Sequence, residues 1–287
     1  MFENLYGLSC VENQVLAFLL EAGMDIRPLY YDAALPMKEL FFFLVLRGEP
    51  PERFERLPRI QNTLKELEIL DMTLERRGEV SEALERAAGC GANQMVLIRL
   101  KLGYSSRVLR ARGWREDHFA RLRWADGMFW VDNDIPEVSA VLLRKAAQEA
   151  YDGEYFLVSL RRALTASDAR RLWRRRRFRP ELHVPFHFEP DDLRGLPDMG
   201  ERLRNMTGIY KTLRRRMAAY YGQYTDTDFL TKLAAEAEKT YARLEYCRLK
   251  YVTDTAPYFA LLRELNIRDN EAMERLKTQL EMKKHGN

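Results

Sequence analysis

Two residues stand out by type and setting. Cys10 follows Ser9 at the start of an apolar helical pattern, and His118 opens a run of alternating residues. The chain holds only three cysteines and four histidines. A cysteine becomes a strong nucleophile when it ionises. A helix N-terminus presents unpaired N–H groups and partial positive charge, which favours the thiolate. A nearby imidazole that takes the thiol proton completes the pair used in covalent catalysis. The chemistry expected of Cys10 and His118 is therefore attack on an activated carbonyl through a covalent acyl-enzyme.

The elements that must position this pair are legible nearby. In residues 10–22, Val11, Val15, Phe18, Leu19 and Ala22 follow helical spacing, Ser9 is the expected N-cap, and Gly23 is a natural stop. Asp126-Gly127 lies between two alternating runs, a strong hairpin signal because both turn positions require positive φ. A two-residue turn there sets Ala125 opposite Met128, Trp124 opposite Phe129, Leu122 opposite Val131 and Ala120 opposite Asn133. His118, Ala120, Leu122, Phe129, Val131 and Asn133 then share one largely apolar, inward face. Phe119, Arg121, Arg123, Trp130 and Asp132 share the other. Asn133 is diagonal to His118, within reach of its ring. An amide oxygen there accepts the imidazole N–H and fixes the tautomer. Asp132 falls on the wrong face, whereas Asp134, at the strand end, could curl back. A slip of one residue would reverse the choice between Asn133 and the aspartates. Taken singly, each residue also has an ordinary structural use: a buried small thiol, a structural histidine, a polar turn.

Elsewhere, residues 36–92 read as mostly helical, with a very apolar, buried segment at 37–46. Ile60, Leu64, Leu67 and Leu74 form an amphipathic stripe, and Ser81 is a cap candidate for a short helix ending at Gly89. Residues 94–102 and 154–160 are strand candidates rich in Val, Ile, Leu and aromatics. From about 192 onward helices dominate. Phe229, Leu230, Leu233, Ala237, Tyr241 and Leu244 line one face, and Met273, Leu276 and Leu280 another. The expected fold is α+β, with a catalytic region over 1–180 and a mainly helical region over 181–287.

The segments Gly7-Leu-Ser-Cys-Val-Glu-Asn, Asp117-His-Phe with Gly127 nine residues after His118, and Phe-Trp-Val-Asp-Asn-Asp-Ile-Pro resemble the butirosin biosynthesis protein H-like family over roughly residues 5–160. The resemblance implies a papain-like fold, related to bacteriocin-processing cysteine peptidases: an N-terminal helix bearing the cysteine and an antiparallel sheet bearing the histidine. It implies an acyltransferase that moves an acyl group from a carrier-protein thioester to an amine, in specialised-metabolite biosynthesis. Cys10 would be the nucleophile and His118 the general base. The family's third member is usually an aspartate. Its position matches Asn133 here, with Asp134 the nearest substitute. Papain-like enzymes carry a side-chain oxyanion donor a few residues before the cysteine. No glutamine occurs there, and Asn4 is the only amide in place, with the Cys10 backbone N–H as a further donor. No cofactor is implied beyond a phosphopantetheine arm on the carrier.

Composition narrows the class. At 287 residues, 46% hydrophobic and 31% charged, the chain is neither a disordered tail, a fibre nor a membrane protein. Its longest apolar run, 40–46, is far short of the roughly 20 residues that span a bilayer. Residues 1–10 lack a cationic secretory n-region. With three cysteines, too few for a disulfide scaffold, this reads as a cytoplasmic protein. Forty-seven Lys+Arg against 43 Asp+Glu give only +4, yet residues 161–179 hold nine arginines against Asp168. Arg170, Arg171, Arg174, Arg175, Arg176 and Arg177 are candidate docking residues for an acidic acyl or peptidyl carrier protein, or else a solvated helix face. Nucleic acid fits the charge, but no recognised nucleic-acid motif accompanies it. Pro185 breaks the i, i+4 pairing of His183 and His187, so no metal is expected. Cys90 and Cys247 read as structural, and there is no phosphate-binding or dinucleotide Gly-rich loop. Three other readings remain: a cysteine thioesterase, amidase or peptidase; an amidohydrolase self-processed between Ser9 and Cys10; and a binding protein using the arginines. The C-terminal helices could also pair between chains as a homo-oligomer.

Overall fold

In a computed structural model of the chain, the structure describes residues 5–109, 118–134, 137–175, 178–179, 182–183, 186–250 and 256–285. Its helices are α1 (Cys10–Glu21), α2 (Met37–Leu40, continued by a π-helical stretch Phe41–Leu46), α3 (Ile60–Glu66), α4 (Val80–Ala88), α5 (Leu102–Val108), α6 (Arg144–Ala150), α7 (Ala166–Arg175), α8 (Pro190–Leu193), α9 (Met199–Tyr221), α10 (Asp228–Leu249) and α11 (Ala256–His285). Its strands are β1 (Leu70–Arg76), β2 (Gln94–Leu100), β3 (His118–Ala125), β4 (Met128–Asn133), β5 (Val138–Val141) and β6 (Tyr151–Leu160). They form one six-stranded sheet in the order β1-β6-β2-β3-β4-β5. Every neighbouring pair is antiparallel. The fold is thus α+β.

The chain divides into two compact units, one of residues 1–26 and 59–169, the other of 27–58 and 170–287. A single cut at 180 does not describe this. Residues 27–58 group with the helical C-terminal part, and the last crossing falls inside α7.

In the first unit, one sheet face is built by alternate apolar residues. Val96, Ile98 and Leu100 of β2, Ala120 and Leu122 of β3, and Phe129 and Val131 of β4 pack with Ala83, Leu84 and Ala87 of α4 and with Ala147 and Ala150 of α6. The β3–β4 hairpin closes through Asp126 (φ 52°) and Gly127 (φ 75°). Its pairs are Ala125–Met128, Trp124–Phe129 and Leu122–Val131. These are the pairs and faces that the turn chemistry dictates. The opposite face carries Arg121, which binds Glu21 of α1 at 2.7 Å and lies over the Phe18 ring. That contact seats α1 against β3.

Several local expectations are corrected. Residues 70–76 form β1 rather than helix, with Leu70, Met72 and Leu74 alternating against β6. Leu102 starts α5 instead of ending β2. Ser81 lies inside α4, whose N-cap is Glu79. On α1, Ala22 is exposed and Val11 half-buried, while Leu16 and Ala17 are buried.

In the second unit, α9, α10 and α11 bury Phe229, Leu230, Leu233, Ala237 and Leu244 of the expected stripe, whereas Tyr241 is half-buried. The 37–46 segment buries Met37, Leu40, Phe41, Leu44 and Val45, whereas Phe42 is exposed. Phe41 packs on Phe186 and Phe188 at centroid separations of 5.5 and 4.8 Å. The unit also buries an ion pair, Arg214 on α9 with Asp269 on α11, at 2.7 Å. Among the described residues, no helix is long and apolar enough to cross a membrane.

Candidate active site

Cys10 is the first residue of α1, as the Ser9 cap requires. The Ser9 Oγ accepts the Glu12 amide at 3.2 Å. Glu12 completes the start. Its carboxylate accepts the Leu8 amide at 2.6 Å and, with its other oxygen, the Ile60 amide at 2.8 Å. Ile60 is the first residue of α3, whose N-cap Arg59 makes no side-chain cap bond. One buried carboxylate therefore holds both the Leu8 amide just before the α1 cap and the first amide of α3. Ser9-x-x-Glu12 is a capping-box spacing, and this was the available sequence signal for a residue not singled out beforehand.

The next two side chains tie α1 to the far end of the hairpin. Asn13 donates from Nδ2 to Asp134 Oδ2 at 2.9 Å and accepts the Gly7 amide on Oδ1 at 2.8 Å. A Cβ at position 7 would overlap Asn13 Oδ1, so glycine permits this approach. Gln14 donates to the Asp132 carbonyl at 2.9 Å. Glu12, Asn13 and Gln14 are all buried. They are polar residues in the buried first turns of an otherwise apolar helix. That is the signal that they are fixed by specific partners.

Cys10 Sγ accepts a hydrogen bond from the Phe119 amide at 3.4 Å. Phe119 is the residue after His118, so the thiol sits against the head of β3. His118 Nε2 lies 2.6 Å from Asn133 Oδ1. An amide oxygen can only accept, so Nε2 is the donor of this bond and Nδ1 is left facing away from Asn133. Among the described residues, this is the only side-chain hydrogen bond of His118, and it makes none to Cys10. Cys10, His118, Asn133 and Asp134 are thus brought to one end of the hairpin. Asn133, not an aspartate, contacts the ring. Asp132 lies on the other face and binds Arg123 and Ser139, each at 2.6 Å. Asp134 curls back, but to Asn13.

The electrostatics differ from the sequence expectation. Burial first, and then the Asp134 charge, push the Cys10 thiol up to about 11; the amides of Phe119, Val11 and Cys10 pull the other way and are outweighed. The helix N-terminus alone therefore does not produce a resting thiolate here.

Asn133→Ala removes the acceptor that fixes the His118 tautomer. Activity dependent on His118 is expected to fall by about 100-fold, with the thermal melt showing a folded chain. A kcat within about threefold of the wild type would show that Asn133 does not orient the base.

The other candidates separate. Asn4, Arg176 and Arg177 lie outside the described residues. Arg170, Arg171, Arg174 and Arg175 are exposed on α7. Arg161 and Arg162, at the other end of the basic run, pair with Asp71 and Asp168. Asp168 is held well below the usual carboxylate range by Arg162 and Thr165. His183 is buried beside Phe178 at a ring separation of 5.5 Å, and His187 is exposed. Among the described residues no group of three His, Cys, Asp or Glu converges as metal ligands. Cys90 and Cys247 are half-buried free thiols. No family model and no curated protein matches the chain.

Proposed function

We propose that this chain is a cysteine-dependent acyltransferase of papain-like architecture, the class its Cys10, His118 and hairpin segments resemble. It takes an acyl group from a carrier-protein thioester and passes it to an amine. The observation that carries this reading is the joint placement of Cys10 Sγ on the Phe119 amide and of the adjacent His118 ring on Asn133.

His118 Nδ1 takes the Cys10 proton as sulfur attacks the thioester carbonyl. A C–S bond to the enzyme forms, the carrier C–S bond breaks, and the departing thiolate takes the proton back from the imidazolium. The amine then attacks the acyl-enzyme and loses its proton to His118. Its C–N bond replaces the C–S bond, and Cys10 returns as a thiol. The Cys10 backbone N–H is the oxyanion donor we assign. The exposed arginines 170, 171, 174 and 175 suit an acidic carrier protein bearing the substrate on phosphopantetheine, and the setting is cytoplasmic specialised metabolism.

The test is incubation with an acylated carrier protein and a panel of primary amines. Amide product formed faster than free acid supports the transferase. Free acid alone, at a rate insensitive to amine, makes the protein a thioesterase. Release of residues 1–9 during activation would replace both readings with a self-processing amidohydrolase.

A further inference from the structure

The second unit holds a groove of about 560 Å³ between α11 and the extended segment 186–189, a volume in the range of small-molecule sites. Its floor is aromatic. Phe186 and Phe188 stack at 5.4 Å with their planes 29° apart, Phe259 meets Phe188 edge-on at 5.2 Å, and buried Phe41 packs on both stacked rings. The rings hold one another, so the floor stands ready before any ligand arrives. Asn266, 6% exposed, donates to the Phe186 carbonyl at 2.9 Å. The contacts at Phe259 and Asn266 therefore pin the segment to α11 on either side of one residue, Arg263. That residue is exposed and lines the groove, and among the described residues its side chain has no ion pair or hydrogen bond. Other cations of α11 are paired: Arg268 with Glu264 at 2.6 Å, Arg275 with Asp226 at 3.4 Å and Lys277 with Glu274 at 3.6 Å. The acids that line the groove lie toward its ends. Glu189 closes a reciprocal capping box with Asp192 at the start of α8. Glu271 is eight residues past Arg263, about 12 Å along the helix axis.

We propose that this groove binds a small aromatic carboxylate, with its ring on the Phe188–Phe259 floor and its carboxylate on the Arg263 guanidinium. The site stands apart from the acyl-transfer reading and uses neither Cys10 nor His118. The chemistry follows from the lining. A guanidinium offers a planar fork of donors that matches both oxygens of a carboxylate, and here no side chain of the described residues occupies it. The rings beside it favour a flat apolar body, which stacks or meets them edge-on. Ile267, 51% exposed and one turn after Arg263, adds apolar surface that a bound ring covers. A free inorganic anion would leave the aromatic floor unused. A neutral hydrocarbon would leave the guanidinium unused, and a cation would meet its repulsion at the middle of the groove.

Anilinonaphthalene sulfonate, an anionic aromatic fluorophore, reports on the site in the full chain. Its fluorescence is expected to rise to saturation and to be reversed by naphthaleneacetate. Naphthaleneacetamide, which has the same ring without the charge, is expected to displace it at least about tenfold more weakly. Arg263→Gln is expected to weaken naphthaleneacetate by at least about tenfold and to leave the amide within about twofold. Ile267→Glu changes an exposed residue and sets a carboxylate one turn from Arg263, so it is expected to weaken naphthaleneacetate as well. Arg268→Gln removes a cation that does not line the groove and is expected to leave both affinities unchanged. Thermal melting shows that each variant is folded. Absence of saturable binding to the wild-type chain overturns the proposal. So does equal displacement by the acid and the amide, and so does a loss of naphthaleneacetate affinity in Arg268→Gln that matches the loss in Arg263→Gln.

Discussion

Cys10→Ala is expected to leave a folded chain whose acyl transfer drops by at least about 10⁴-fold. The argument is chemical. In the proposed cycle every bond made to carbon passes through Sγ, and none of the groups around it can replace that atom. His118 is committed to Asn133 through Nε2, Asp134 to Asn13, and Glu12 to two backbone amides. Removing the nucleophile of a covalent enzyme leaves only substrate positioning and oxyanion stabilisation. The structural cost is modest, because the thiol is half-buried and the Phe119 amide loses one weak acceptor, about 1 kcal/mol. Stability and activity therefore separate. Amide product measured against thermal melting is the check. Activity within about tenfold of the wild type would remove Cys10 from the chemistry and leave the exposed arginines as the functional feature.

Asp269→Ala is expected to cost about 3–5 kcal/mol of stability. Arg214 is fully buried, with Nε 2.7 Å and Nη2 3.1 Å from the two Asp269 oxygens, and its guanidinium also donates to the Leu35 carbonyl at 3.2 Å. The Tyr210 hydroxyl donates to Asp269 Oδ1 at 2.7 Å, and burial together with the Asp269 charge raises that phenol well above its ordinary value. The network ties α9 to α11 and to the segment preceding α2. Deleting the carboxylate strands a guanidinium and a phenol in a dry interior. That penalty, rather than the pair's own attraction, is what the variant exposes. Arg214→Met with Asp269→Leu removes the stranded charge and is expected to recover much of the loss. Urea unfolding measures both. A loss below about 1 kcal/mol for Asp269→Ala would mean that water reaches the pair.

The hairpin was the most legible part of the chain, because an Asp126-Gly127 two-residue turn sets the pairing that runs from Ala125–Met128 to Arg121–Asp132. Asn133 followed from the register, and the start of α1 from Ser9. What stayed hidden depends on contacts distant in sequence. β1 looks helical because Leu64, Leu67 and Leu74 fit a helical stripe, and only pairing with β6, from Leu70–Leu160 to Arg76–Glu154, makes it a strand. Residues 27–58 join the second unit through partners such as Arg202, which donates to the Val45 carbonyl at 2.9 Å, and no local pattern announces that. The Glu12 bridge to α3 and the Asn13–Asp134 bond are likewise invisible in order of sequence. The electrostatic setting of Cys10 is hidden in the sequence for the same reason. The cap is local, whereas the burial and the Asp134 carboxylate that outweigh it arrive with the fold.

The central claim is that Cys10 carries the acyl group. It is tested by mixing the chain with an acyl thioester, quenching in acid without an amine, and measuring intact mass and the Cys10 peptide. The account predicts a mass increase equal to the acyl group, located on Cys10, absent from Cys10→Ala and discharged when an amine is added. An unmodified Cys10 alongside continued product formation would contradict it.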